Sequence, residues 1–395
     1  MNWGDWIISG VPFSWPIMGL CLLVAMSQGI GAWQLLAAFQ FPLHRRLPPQ
    51  DPPFLPGVSL LKPLKGADAS TTNCLRSWFA QVYGGPIQLL LGVKDSQDPV
   101  CEIVRGLIAE FPKCNAQLII CSEQPGANAK VCTLVQLEIL AHYDVLVVSD
   151  ADVRIDQDFL TEVVKPLTQS SVGLVNCFYQ LANPTTAAQQ WEAVATNADF
   201  WSQVLQSRML KPQDFALGAV MAVRRDALKK IGGFRAFVDH LADDYQLGKR
   251  VSKEGWTIAL SPVVVSCWDA PANWTQVWAH QLRWARTVRV CQPGPYAASI
   301  INNVTFWTVL AGWVGRHHET VLLGVSVVLG LRLAQANALV TRLTGQPFGF
   351  LRCCLFVPIK DLLGAVIWAL AFFGNTVVWR GITYRVGSDG KLSQV

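Results

Sequence analysis

Long apolar segments are the feature of this 395-residue chain that most limits how it can fold. Residues 13–41 contain no charged side chain, and residues 320–340 and 362–379 are also mainly apolar. A helix of about 20 predominantly apolar residues is long enough to cross a bilayer. The composition agrees, since 51% of the residues are apolar and the mean hydropathy is +0.30. The sequence therefore predicts an integral, multi-pass membrane protein.

Charges beside the first apolar segment predict its orientation. His44, Arg45 and Arg46 follow the segment directly, and basic residues mark the cytoplasmic flank of a span. We therefore expect residues 1–46 to be a membrane anchor and the domain after it to be cytoplasmic. The alternative is a cleaved signal peptide. It is disfavoured because the first charge is Asp5 and no small-residue cleavage site follows a short apolar core.

The C-terminal membrane region, residues 293–395, has a less regular pattern. Residues 306–315 are too short for a span unless they extend back through Tyr296, and they also fit an interfacial position. Basic residues are equally frequent on both flanks of the last segment, so charge does not fix its direction. We expect three or four spans in all.

A domain at residues 57–292 follows a proline-rich linker at 47–56 and has the pattern of an α/β fold. Short apolar runs alternate with helical stretches, which predicts βαβ units and a mainly parallel sheet. The expected strands are 58–64, 87–93, 116–121, 145–151, 172–179 and 257–265, and the expected helices lie near 71–82, 99–111 and 130–141. Ligands bind such sheets beyond the carboxyl ends of the strands.

Two carboxylates follow the strand in LVVSDADVR, residues 146–154. Asp150 and Asp152 are predicted to hold Mn²⁺ or Mg²⁺, because these hard cations take oxygen ligands and leave room for a diphosphate. On its own the pattern is also typical of an ordinary turn. Asp95 ends the apolar run 89–93 in the same way. We therefore expect Asp95 and Asp150 at one edge of the sheet, although 55 positions separate them.

Cysteine spacing and net charge exclude other classes of site. The eleven cysteines form no CxxC pair and have no histidine at zinc spacing, so we expect buried thiols in a reducing compartment. The net charge of +5 is dispersed along the chain and gives no nucleic-acid signature.

The order of acidic motifs resembles that of one enzyme family. Asp95, the DxD at 150–152, the later pair in HLADDYQLG (240–248) and the RW in HQLRWART (280–287) resemble the D, DxD, D, (Q/R)xxRW series of the ceramide glucosyltransferases, family 21 of the glycosyltransferases. The resemblance extends from PGVSLLKPLKG (56–66) through PGANAK (125–130) to the C-terminal apolar segments. It implies a GT-A domain, four spans with the tail on the far side, and an inner membrane in a bacterium or the Golgi in a eukaryote.

The resemblance also implies an activity and roles for residues on the donor side. The family moves a hexose, with inversion, from a UDP-sugar such as UDP-glucose to a hydroxyl of a membrane lipid such as ceramide. Asp95 would bind the uridine part of the donor. Lys62, Lys65 and Lys130 would be cationic neighbours of the nucleotide or diphosphate, although each could also be a solvated surface charge.

On the acceptor side, the resemblance makes Asp244 the general base that removes the proton from the acceptor hydroxyl. The neighbouring Asp243 would raise the pKa of Asp244 by like-charge repulsion. The alternative is that the two are simply acidic residues at a helix N-terminus. Gly218 in LGAVMAV (217–223) resembles the small-residue acceptor loop of the family.

The last motif departs from the family pattern at one position. Arg283 would hold diphosphate oxygens and Trp284 would form a wall beside the acceptor, but His280 stands where Gln or Arg is expected. Gln281 could compensate or could face away. The aromatic segment 191–210 is predicted either to lie against the bilayer and admit a lipid or to pack on the sheet as an ordinary helix.

The sequence is compatible with several functions. The acceptor could be another lipid, such as a hopanoid or a diacylglycerol, with UDP-GlcNAc as a possible donor. A processive polysaccharide synthase would need a channel, for which three or four helices are few. A catalytically inactive membrane scaffold would be expected to lose a carboxylate, whereas Asp95, Asp150, Asp152 and Asp244 are all present.

Overall fold

The structure is a computed structural model that describes residues 15–46, 53–379 and 381–395. Most of the predicted linker therefore lies outside the described residues. The strands of the large sheet are β1 Val58–Leu64, β2 Ile87–Val93, β3 Ala116–Ile120, β4 Val145–Ser149, β5 Val153–Arg154, β6 Val172–Leu181, β7 Val220–Arg224 and β8 Thr257–Cys267. Their spatial order is β3-β2-β1-β4-β7-β6-β8-β5.

Strand direction confirms a mainly parallel sheet. Strands β3, β2, β1 and β4 are parallel neighbours, and β6 is parallel to β8. The antiparallel pairs involve β7 and the two-residue β5. Strand β7 and the short β5 were not predicted from the sequence. The segment that contains β7 was interpreted as an acceptor loop, and β5 has only two residues.

Helices cover both faces of the sheet and continue into the membrane region. They are α1 Trp15–Gln40, α2 Thr71–Phe79, α3 Val100–Glu110, α4 Ala129–Leu140, α5 Phe159–Val164, α6 Ala187–Val194, α7 Trp201–Leu210, α8 Arg225–Lys230, α9 Asp243–Lys253, α10 Trp274–Cys291, α11 Pro293–Ala298, α12 Val304–Val314, α13 Glu319–Thr344 and α14 Phe350–Ala371. A π-helix, Ala195–Phe200, joins α6 to α7. Short 3₁₀ helices lie at Lys165–Thr168, Phe234–Phe237 and Ser299–Asn302.

The central strands are apolar because both of their faces are covered. One hydrophobic core packs α2, α3 and α5 against the sheet, and a second packs α4, α8 and α9 against the opposite face. Every residue of β1 is buried, including the charged Lys62. Near-continuous apolar runs are typical of parallel strands covered in this way.

Within the part of the chain that the structure describes, three helices are long and apolar enough to cross a membrane: α1, α13 and α14. A fourth span would require α11, the following 3₁₀ turn and α12 to act as one span, bent by 54°. This bent pair contains the segment predicted to be either interfacial or spanning.

The membrane helices are fixed to the α/β domain by a buried ionic cluster. The Arg332 guanidinium on α13 lies 2.9 Å from carboxylate oxygens of both Asp361 on α14 and Asp199 in the π-helix. The Lys360 ammonium contacts the same two carboxylates. Two positive and two negative groups therefore balance where water is excluded, which satisfies the condition for burying charge.

The C-terminal tail forms a small antiparallel sheet, β9 Thr376–Trp379, β10 Ile382–Val386 and β11 Leu392–Gln394. This sheet packs on the α/β domain: the Leu392 N–H donates to the Asp239 carbonyl at 2.6 Å, and the Leu241 N–H donates to the Gly390 carbonyl at 3.2 Å. The prediction that the tail lies on the far side of the membrane from this domain is therefore wrong. Because the tail and the domain are hydrogen-bonded to each other, the two must lie on the same side of the membrane.

Candidate functional site

The DxD segment follows β4 at the carboxyl edge of the sheet, as predicted. The Asp150 N–H donates to the Ala219 carbonyl and continues the ladder between β4 and β7. Beneath it, the Lys62 ammonium donates to the Asp150 carbonyl at 2.7 Å and to Ser149 Oγ at 3.1 Å. Burial lowers the pKa of Lys62 to about 7, against the attraction of the DxD carboxylates. Lys62 therefore supports the loop from below, and a direct contact with the donor stays a prediction.

Lys130 connects the DxD to the second acidic motif. Its ammonium lies 2.7 Å from Asp150 Oδ1 and 3.0 Å from Asp243 Oδ2. Burial lowers the pKa of Lys130, but the two carboxylates outweigh this and raise it well above its usual range. Its position is set by Asn128, which caps α4 through the Val131 N–H and donates to the His240 carbonyl at 2.8 Å. Sequence reasoning missed Asn128, although Asn before a helix is a typical N-cap.

Asp244 lies in the first turn of α9 and is in close contact with Gly218. A methyl group at Gly218 would lie 2.8 Å from Asp244 Oδ2. Burial and the adjacent Asp243 carboxylate raise the pKa of Asp244 to about 6, while Lys130 opposes the shift. The structure therefore brings the predicted base, its acidic neighbour and the predicted acceptor loop together.

Asp95 and Lys65 lie at the ends of neighbouring strands. Leu64 pairs with Val93 across β1 and β2, so both loops leave the same edge as the DxD. The Asp95 carboxylate is exposed and accepts a hydrogen bond from the Gln97 N–H. Sequence reasoning missed Asp98, whose carboxylate accepts from the Gly66 N–H at 2.9–3.0 Å and joins the two loops.

A further carboxylate, Asp269, faces the DxD and was not predicted. The Trp268 N–H donates to the Asp152 carbonyl at 3.0 Å, and Asn183 holds the Asp269 backbone through both its amide groups. Burial, with Asp150 and Asp269 nearby, raises the pKa of Asp152 to about 8. A divalent cation would offset this concentration of negative charge, so the donor set fits a hard metal ion.

Side chains of the described residues do not by themselves complete the candidate metal site. In the described ranges, no three His, Cys, Asp or Glu side chains are spaced as a finished metal site. The DxD carboxylates would therefore share a cation with oxygen atoms of the donor diphosphate.

Helix α10 carries the last predicted motif. His280, Arg283 and Trp284 lie on this helix, with the His280 and Trp284 ring centroids 4.8 Å apart. His280 and Gln281 both contact the carboxylate of Glu192, a buried residue of α6 that sequence reasoning missed. Gln281 therefore shares its hydrogen-bond partner with His280 and does not face away from it.

The aromatic segment 191–210 leads from the site toward the membrane helices. Phe200, at the end of the π-helix, lies 5.5 Å from the Tyr179 ring and 6.3 Å from the Trp284 ring, centroid to centroid. Farther along, Gln34 of α1 donates to Gln206 at 2.7 Å. The segment thus packs on the membrane helices as well as on β6. π-Helical turns are frequent at functional sites.

The fold and the arrangement of carboxylates define a glycosyltransferase of the GT-A type. Residues 19–392 match the profile of glycosyl transferase family 21, and the chain belongs to that family. Ceramide glucosyltransferase 1 of Caenorhabditis elegans is 24% identical over 99% of this chain and 84% of its own length. Ceramide glucosyltransferase of Candida albicans is 34% identical over 27% of this chain and 22% of its own length.

Among solved structures, the chain resembles a mannosyltransferase from Pyrobaculum calidifontis, determined in complex with GDP-Man and Mn²⁺. The TM-score is 0.53 and the sequence identity 18%, with 90% of this chain and 99% of that chain covered. This likeness supports the GT-A fold.

Proposed function

We propose that this protein transfers a hexose from a UDP-sugar, UDP-glucose in the first instance, to a hydroxyl of a membrane lipid of the ceramide type. The observation that carries the proposal is the Lys130 bridge, which joins Asp150 of the DxD to Asp243 beside the predicted base. Donor clamp and base therefore lie within the reach of one side chain. Relatives named ceramide glucosyltransferase support the choice of donor and acceptor.

On the donor side, Asp95 and Lys65 would contact the nucleotide, and Asp150 and Asp152 would hold Mn²⁺ or Mg²⁺ against the diphosphate. Such a cation withdraws electron density from the leaving group and is worth several kcal/mol. Lys62 keeps the DxD backbone in place from below. Arg283, on α10, would hold phosphate oxygens.

On the acceptor side, Asp244 accepts the proton of the lipid hydroxyl as that oxygen attacks the anomeric carbon. Its pKa of about 6 leaves it mainly ionised at neutral pH and still basic enough to act. The configuration at the anomeric carbon inverts, because one displacement occurs from the face opposite the diphosphate. Trp284 and Phe200 would line the path of the lipid from α1 and α14.

The test is transfer by purified, detergent-solubilised protein. UDP-glucose, UDP-galactose and UDP-GlcNAc are each offered with Mn²⁺ or Mg²⁺ against ceramide, a hopanoid and diacylglycerol. The Asp244→Asn variant keeps the shape of the side chain and removes the base, so transfer should fall by about 10² to 10⁴. Asp144→Asn is the matched control, because the Asp144 side chain is 95% exposed.

The proposal is supported if the wild-type protein transfers hexose to one of the lipids, the Asp144→Asn variant does so equally well, and the Asp244→Asn variant does not. If the wild-type protein neither binds a UDP-sugar nor releases UDP, the assignment of the donor site is wrong. If it transfers and Asp244→Asn transfers equally well, the base lies elsewhere.

A further inference from the structure

The buried Glu192 is hydrogen-bonded to His280, the residue at which the last motif departs from the family pattern. Glu192 is 6% exposed. Its Oε1 contacts His280 Nδ1 at 2.6 Å and accepts from Gln281 Nε2 at 2.8 Å. A carboxylate only accepts hydrogen bonds, so the proton on the ring lies on Nδ1. In the neutral imidazole, Nε2 is then a hydrogen-bond acceptor.

Helix α6 gives Glu192 a fixed position. Thr186 caps the helix with a capping box and donates from Oγ1 to the Ala272 carbonyl at 2.7 Å. Gln189 donates to the Ala270 carbonyl at 2.8 Å. The segment that receives these bonds directly follows Asp269, beside the DxD. The helix that carries Glu192 is therefore hydrogen-bonded to the segment that lies beside the DxD carboxylates Asp150 and Asp152.

The imidazole faces the aromatic wall of the site and remains accessible. Its centroid lies 4.8 Å from that of Trp284, and the His280 side chain is 36% exposed. Through Trp284 it adjoins Phe200 and Tyr179. Burial, with the charges of Asp244, Asp150 and Glu192 among those acting on Tyr179, raises the pKa of the Tyr179 phenol well above its usual range. The charges of Asp244, Asp150 and Glu192 therefore all act on this one aromatic side chain.

We propose that His280 Nε2 accepts a hydrogen bond from the acceptor lipid and that Glu192 is the positioning residue that fixes its tautomer. The inference rests on the proposed function and narrows its substrate class. The acceptor must carry an O–H or N–H group beside the reacting hydroxyl. Ceramide offers an amide N–H and a second hydroxyl there, whereas diacylglycerol offers only ester oxygens. His280 therefore selects against diacylglycerol.

The experiment measures kcat/KM for ceramide and for diacylglycerol with UDP-glucose, together with UDP release in the absence of lipid. His280→Phe keeps an aromatic ring against Trp284 but removes the acceptor nitrogen. We expect about a tenfold loss for ceramide, the size of one hydrogen bond, and less than about a twofold change for diacylglycerol. UDP release without lipid should not change.

Variants of Glu192 test the positioning role. Glu192→Gln retains an oxygen that accepts from Nδ1 and should keep most of the ceramide preference, whereas Glu192→Leu should lose it. His142→Phe, at an exposed position, is the matched control. The inference is overturned if His280→Phe leaves the ratio of the two kcat/KM values unchanged, or if ceramide transfer and lipid-free UDP release fall together. Wild-type protein that transfers to no lipid overturns the proposed function, and this inference with it.

Discussion

Replacing Gly218 by alanine tests whether the position of Asp244 controls catalysis. The added methyl carbon would lie 2.8 Å from Asp244 Oδ2 and 3.3 Å from both its Cβ and its Cγ. Ordinary contact begins at about 3.4 Å, so the carboxylate must move by about half an ångström or more. Gly218 does not need the left-handed conformation, since its φ lies outside that region. The effect is therefore steric and directed at the base.

The expected loss follows from the sensitivity of catalysis to geometry. A misplacement of about 1 Å can cost about 10² in rate, so kcat for Gly218→Ala should fall by about 10- to 100-fold. Donor affinity should change little, because the residues that would bind the nucleotide lie on other loops. The assay is UDP release in the presence of lipid acceptor, with UDP binding measured separately by calorimetry.

Two other glycines make the comparison specific. Gly106 on α3 has no atom within 4 Å of an added methyl group, so Gly106→Ala should leave kcat unchanged. At Gly248 the methyl group would lie 2.3 Å from the Ala216 backbone nitrogen, so Gly248→Ala should lower stability as well as activity. Full kcat in Gly218→Ala would refute the argument that this contact places the base.

Three further predictions follow from the structure. Because the pKa of Asp244 is raised to about 6, protonation below that pH removes the base. The logarithm of kcat/KM should therefore fall by about one for each pH unit below 6. A kcat/KM that does not change with pH in this range contradicts the assignment. Asp361→Asn leaves Arg332 and Lys360 undercompensated and should cost about 3–5 kcal/mol in unfolding free energy. Arg46→Ala breaks an exposed pair with Asp158 and should cost less than about 1 kcal/mol in unfolding free energy. If the two variants lower the melting temperature in detergent equally, the buried cluster is no more stabilising than the exposed pair. Deleting residues 376–395 removes the backbone hydrogen bonds to Asp239 and Leu241, which precede the proposed base Asp244 in the chain. The deletion should lower kcat while UDP binding persists. An unchanged kcat would show that the tail does not hold Asp244 in position.

Much of the α/β domain was predictable because local pattern and tertiary environment agree there. The apolar runs before Asp95 and Asp150 are buried on both faces, so their hydrophobicity indicates both the strand and its place in the sheet. The placement of the two loops at one edge followed from parallel strand direction and is confirmed by the register of β1 with β2 and β4. The three candidate spans were equally visible as long apolar segments.

Other features depend on contacts between residues far apart in the chain. Asp269 and Glu192 carry no local motif, and they join the site only because β8 and α6 bring them to the DxD and to α10. The C-terminal sheet was missed because its strands are short and their small apolar cluster is completed by Leu241 of the domain, a contact that spacing along the chain does not reveal. Its return to the domain also reverses the expected side of the tail.

By itself, the sequence determined the class of fold, the helices that are apolar enough to span a membrane and the identity of the acidic motifs, because each depends on residues close together in the chain. Tertiary structure decided which charges meet. It placed Lys62 beneath the DxD and Lys130 between two acidic motifs, and it joined Asp199 to a buried ionic cluster with two membrane helices. Charge pairing in a buried site depends on distance and desolvation. Neither quantity is set by spacing along the chain.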